Sequence, residues 1–197
     1  DRGSGAKVYD QDGREYIDGN ASIWTNIHGH RHPHIDGAVR RQLDAIAHSS
    51  ALGFAGAPAA RLARELVSLW PGGILERVFF SDDGSTAIEC AMRMAWQCCV
   101  HEGRDDRTAF VAFDQAYHGD TLGAASLGGI PAFHERFGRS GFPVRHVAGI
   151  ADLEAMPAEE GQRPIAVVIE PLIQGAAGMR TWPAGMLRDL RAWCDAH

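Results

Sequence analysis

Apolar residues recur along the chain in two distinct rhythms. Ile35, Val39, Leu43 and Ile46 fall at helical spacing after Pro33, which predicts a helix over 35–47. A second helix is expected from Pro58. There Ala59, Leu62, Ala63, Leu66, Val67 and Trp70 share a face, and Pro71-Gly72-Gly73 stops it. A third follows Gly84, with Ala87, Ile88, Ala91, Met92, Ala95, Trp96 and Cys99 on one stripe. Glu89 and Arg93 are expected to pair at i,i+4 on its far side. The last helix carries Met186, Leu187, Leu190, Trp193 and Cys194, with Pro183 expected in its first turn.

Shorter apolar runs read as strands. Arg77–Ser81, Ala109–Phe113 and Ile165–Ile169 are nearly continuous, as in strands buried on both faces. Residues 5–18 read as a hairpin turning at Asp12-Gly13. Residues 123–149 are Gly-rich and read as irregular. Strands alternating with helices predict an α/β fold with a mostly parallel sheet. In such folds ligands sit beyond the carboxyl ends of strands. The polar clusters at 81–86, 114–121 and 170–175 all fall at such ends.

Composition narrows the function classes. The net charge is −6, which argues against nucleic-acid or anionic-membrane partners. No apolar run approaches the ~20 residues of a membrane span. Four cysteines at 90, 98, 99 and 194 form no C-x-x-C pair and read as buried thiols in a reducing, cytoplasmic setting. The chain starts at Asp1 without methionine and ends at His197 inside an expected helix, so it reads as a fragment.

Candidate chemistry sits at the strand ends. Asp83-Gly84-Ser85-Thr86 before a helix is suited to an anion, because the first helical amides lack intrahelical acceptors. An ordinary N-cap is the competing account. Tyr117, followed by His118 and Asp120, could stack on a flat ring above the sheet. His28, His30, His32 and His34 invite a metal-dependent hydrolase reading, but Gly29 and Pro33 break the regularity and no metal is expected. The chain contains no G-x-G-x-x-G, P-loop or G-x-S-x-G signature.

Taken in order, four stretches resemble the class III pyridoxal-phosphate-dependent aminotransferases, of aspartate-aminotransferase fold type (fold-type I). They are Asp18–Trp24 with Ile27–His30, Phe79–Glu89, Ala116–Ala124 and Glu170–Met179. The IHGH, YHGDT and QGAAGM segments are most similar to the biotin-biosynthesis branch, which aminates 8-amino-7-oxononanoate. A different member acting on an ω-amino acid or a diamine is the alternative. The resemblance implies a small-domain segment over 1–50 and the first part of the cofactor-binding large domain over 51–197.

It also implies roles. Gly84, Ser85 and Thr86 would hold the phosphate of pyridoxal 5'-phosphate, and Tyr117 would stack on its ring. His118 and Glu170 would lie close to it, with Gln174. Ile23, Trp24, Tyr117 and Asp120 would line the pocket for a small keto acid and its amino donor, S-adenosylmethionine or lysine. A homodimer is implied for the parent. Such chemistry needs a Schiff-base lysine. Lys7 is the sole lysine and lies in the N-terminal hairpin, so this chain alone is expected to be inactive. Residues 130–164 look shorter than in the family.

Overall fold

The computed structural model describes residues 2–134, 141–156 and 163–197. Contacts divide the chain into two compact units, Asp1–Val78 and Phe79–His197. The division expected after residue 50 lies inside the first unit. The 130–164 stretch, expected to be shorter than in the family, lies partly outside the described residues.

The first unit opens with a three-stranded antiparallel sheet of β1 (Arg2–Ser4), β2 (Lys7–Tyr9) and β3 (Glu15–Ile17). The expected hairpin is present, and β1 extends it. Its turn is held by Asp10, whose carboxylate accepts the Asp12 and Arg14 amides at 3.0 and 2.9 Å. Gly13 takes φ +79°, which an L side chain adopts only with strain. A single turn, α1 (Ala21–Trp24), precedes α2 (Pro33–Ala45) and α3 (Ala57–Ser68). Both longer helices form where the periodicity places them. Their apolar stripes stay open: Val39 and Leu43 on α2 are 54% and 59% exposed.

The second unit is built on a parallel three-stranded sheet ordered β5 (Val144–Val147), β4 (Phe110–Phe113), β6 (Val167–Val168). Every residue of β4 is buried. Alternation along β4 divides two cores. Phe110 and Ala112 pack with Met92 and Cys99 of α4 (Gly84–His101). Val111 and Phe113 pack with Leu153 of α7 (Ile150–Glu154) and with Met186, Leu190 and Trp193 of α8 (Met186–Ala196). Helices therefore cover both faces of the sheet, as a parallel sheet requires. Between these elements lie α5 (Leu122–Ser126), α6 (Pro131–His134) and a small hairpin of β7 (Ile173–Gln174) and β8 (Arg180–Thr181).

Several expectations need correction. Arg77–Ser81 forms no strand, and Phe79 is 64% exposed, because no described strand supplies a hydrogen-bonding neighbour. The described part of 123–149 is not irregular; it holds β5 and two short helices. Pro183 precedes α8, whose N-cap is Gly185 at φ +92°. Cys98 is exposed rather than buried, though Cys99 lies in the core; all four thiols are free.

Candidate active site

The site starts at the N-terminus of α4. Asp83 is the N-cap and closes a capping box: its carboxylate accepts the Thr86 amide at 2.8 Å, and its own amide donates to the Thr86 hydroxyl at 3.1 Å. The Thr86 amide holds the Asp83 carboxyl below its usual range. The N-cap account is thus correct for Asp83. Gly84 is left open, with nothing within 4 Å of where a Cβ would stand.

Ser85 ties this helix start to the loop after β4. Its Oγ accepts the Asp120 amide at 3.0 Å and the Thr121 amide at 2.9 Å, and it donates to the Thr121 hydroxyl at 3.1 Å. The approach is close enough to demand glycine at 119. Gly119 has φ +121°, and a Cβ there would lie 2.8 Å from the Ser85 Cα. The two segments enclose an open cleft of about 710 Å³, lined by Gly84, Ser85, Tyr117, His118, Asp120 and Thr121 among others.

Tyr117 donates its hydroxyl to Asp120 at 2.9 Å, and this bond to a carboxylate, with burial, raises the phenol pKa. Its ring meets His134 at 5.7 Å and Phe133 edge-on at 6.0 Å. Burial, reinforced by His134 and His146, lowers the His118 pKa to about 4, so the ring is neutral at physiological pH. The His118 Nε2 is buried without a partner among the described residues.

Glu170 and Gln174 sit behind this loop and do not line the cleft. The Glu170 carboxylate accepts the Tyr117 amide, and the Gln174 side chain donates to the Asp114 carbonyl. Glu89 is a residue that sequence reasoning misplaced. No ion pair with Arg93 forms among the described residues. Its Oε2 instead accepts the Gly123 amide at 2.9 Å. The available signal was its i+4 spacing from Ser85, which sets both on one helix face.

Ile23 and Trp24 lie in the first unit, on α1, and are 69% and 60% exposed. All four residues Ala21–Trp24 have positive φ, between 51° and 66°. Such a turn costs about 1–2 kcal/mol per residue. Asp18 offsets this by accepting the Ser22 amide and hydroxyl at 2.9 and 2.8 Å and meeting His30 Nε2 at 2.7 Å. These bonds, the Ser22 amide first, lower its pKa to about 2. The histidine run therefore contributes a backbone anchor. Among the described residues no group of three or more potential ligands could hold a metal, and the hydrolase reading has no support.

A helix start with an open glycine faces an aromatic loop at the carboxyl end of a parallel strand in an α/β fold, a geometry suited to an anionic, flat-ringed group. Residues 1–197 match the family described as Aminotransferase class-III, and the chain belongs to it. Aminotransferases of this class depend on pyridoxal phosphate, and the fold is that of fold-type I.

Among curated relatives, the adenosylmethionine-8-amino-7-oxononanoate aminotransferase of Nitratidesulfovibrio vulgaris is 46% identical over all of this chain and 40% of its own length. The acetylornithine aminotransferase of Methanopyrus kandleri is 38% identical over 99% of this chain and 48% of its own. The crystal structure of the first-named enzyme from Methanocaldococcus jannaschii superposes with a TM-score of 0.93 at 35% identity, over all of this chain and 46% of that one. A PLP-bound amine transaminase from an uncultivated Pseudomonas species gives 0.89 at 30% identity, over all of this chain and 49% of that one. The chain spans about half the length of the curated relatives it matches.

Proposed function

We propose that this chain is the phosphate-gripping half of a pyridoxal-phosphate-dependent transaminase. The full-length protein would transfer an amino group to 8-amino-7-oxononanoate, forming 7,8-diaminononanoate in biotin biosynthesis. The observation that carries the reading is Ser85, which draws the start of α4 and the Tyr117 loop into one cleft. Seven curated relatives named as adenosylmethionine-8-amino-7-oxononanoate aminotransferase, 32% to 46% identical, support it.

The residues present fit the phosphate end of the cofactor. Gly84 leaves room for backbone approach, and its amide begins a helix of 18 residues whose dipole favours an anion. The hydroxyls of Ser85 and Thr86, which now donate to Thr121 and Asp83, would add donors on turning to the phosphate. Tyr117 would offer a ring face to the pyridine, and His118 lines the same cleft as a neutral group. When bound, pyridoxal phosphate would supply an electron sink for charge that develops on the amino-bearing carbon. This chain binds and orients. Asp120 holds the Tyr117 hydroxyl and presents a carboxylate at the mouth of the cleft. Ile23 and Trp24 are assigned to the keto substrate. Lys7 is exposed and ion-paired with Glu15 at 2.6 Å, so the Schiff-base lysine is not among these residues.

A small keto acid and an amino donor, S-adenosylmethionine or lysine, are the proposed reactants, in a cytoplasmic homodimer. Among the described residues no helix is long and apolar enough to cross a membrane. A second reading, another class III aminotransferase, is favoured by the acetylornithine relative. Mass spectrometry of the full-length protein's products decides between them. Diamine formed from 8-amino-7-oxononanoate with either donor supports the first reading. Turnover of acetylornithine alone overturns it.

A further inference from the structure

One carboxylate joins the loops that follow β4 and β6. Glu170 is partly buried, and both of its oxygens are committed to backbone amides: Oε2 accepts from Tyr117 at 3.0 Å and Oε1 from Gly175 at 2.9 Å. Its own carbonyl accepts the Trp182 indole N–H at 2.8 Å, which fixes the residue from behind. Gln174, 1% exposed, adds a parallel stitch by donating to the Asp114 carbonyl at 2.8 Å. Amide bonds to a charged acceptor are about twice as strong as neutral ones.

The position of these bonds matters more than their number. The amide bound by Glu170 is that of Tyr117 itself, whose side chain reaches the cleft. At the other end of the same short loop, Ser85 holds the Asp120 and Thr121 amides. The loop is thereby pinned on both sides of Gly119.

We propose that Glu170 is a positioning residue: by bridging the Tyr117 and Gly175 amides, it sets where the Tyr117 ring stands in the cleft and so how a flat cofactor ring seats there. The proposal rests on the cleft being the pyridoxal-phosphate site. Glu170 acts through Tyr117 and does not itself line the cleft.

Hydrogen exchange of the full-length protein without added cofactor tests the clamp, using wild type and Glu170→Gln. Glutamine keeps the shape but offers one acceptor oxygen, and its amino group faces the other amide. In wild type, both the Tyr117 and Gly175 amides are expected to exchange at least about tenfold slower than open loop amides. Fast exchange at either overturns the proposal without any variant. In Glu170→Gln, exchange at these amides is expected to rise about ten- to a hundredfold, while Phe110–Phe113 stay slow. No change, or an equal rise along Phe110–Phe113, overturns it.

The second readout is titration with pyridoxal phosphate. The variant is expected to bind about tenfold more weakly, from one such lost bond, and to give an altered visible circular dichroism band. Faster local exchange with unchanged affinity and spectrum would also overturn the positioning role. Failure of the wild type to take up pyridoxal phosphate sinks the functional reading itself. Failure confined to the variant's exchange sinks only the clamp.

Discussion

Two glycines 35 positions apart make opposite predictions, and together they test the architecture of the cleft. At Gly119 a methyl group would stand 2.4 Å from the Ser85 Oγ, 2.5 Å from its Cβ and 2.8 Å from its Cα. The last contact involves backbone, so no side-chain rotation relieves it. The φ of +121° adds strain of about 1–3 kcal/mol for any L side chain. Forced displacement in a packed contact adds about 1–3 kcal/mol. Gly119→Ala should therefore destabilise the second unit by about 2–6 kcal/mol, taking the Asp120 and Thr121 amides off Ser85. At Gly84 the backbone is not left-handed and a methyl group meets nothing within 4 Å. Gly84→Ala should change stability by less than about 1 kcal/mol, while blocking close approach of a phosphate. Urea unfolding of the full-length apoprotein gives the first quantity, and fluorescence titration with pyridoxal phosphate gives the second. A stable Gly119→Ala protein with an unchanged midpoint would refute the packing argument. A Gly84→Ala protein that binds the cofactor as wild type does would refute the phosphate assignment.

Other consequences follow from single side chains. His118 has its pKa lowered from 6.5 to about 4, so the unfolded chain takes up a proton that the native fold refuses. Stability should be full above pH 6.5 and fall by up to about 3 kcal/mol toward pH 4, and His118→Asn should flatten that limb in a pH series of unfolding midpoints. Asp18→Ala removes the acceptor for the Ser22 amide and hydroxyl, so hydrogen exchange should quicken across Ala21–Trp24; in wild type the same loss is expected as pH falls from about 4 through about 2. Phe113→Ala empties a site that is fully buried between β4 and α8 and should cost about 3–5 kcal/mol in urea unfolding; a loss under 1 kcal/mol would mean that the two-faced core is wrong.

Much of this protein was legible from its sequence because local rules act locally. Helical spacing located α2, α3, α4 and α8, since an apolar stripe and its stop signals are properties of a short window. The continuous apolar run Ala109–Phe113 announced a strand buried on both faces. Asp83-Gly84-Ser85-Thr86 announced a helix start with room for an anion, and the order of four motifs announced the family. Tertiary structure decided the rest, because each remaining feature depends on partners distant in sequence. Arg77–Ser81 has strand composition but finds no neighbouring ladder among the described residues. β5, with only four residues in a Gly-rich stretch, is a strand because β4 lies beside it. Ser85 turned out to be a hinge pin for residues 120 and 121, Glu89 an acceptor for Gly123, and Glu170 a bridge between two loops. Hydrogen-bond partners 34, 35 and 53 residues away leave no trace in local periodicity. The sequence carried the chemistry of the groups, and folding assigned which of them line the cleft and which hold the others in place.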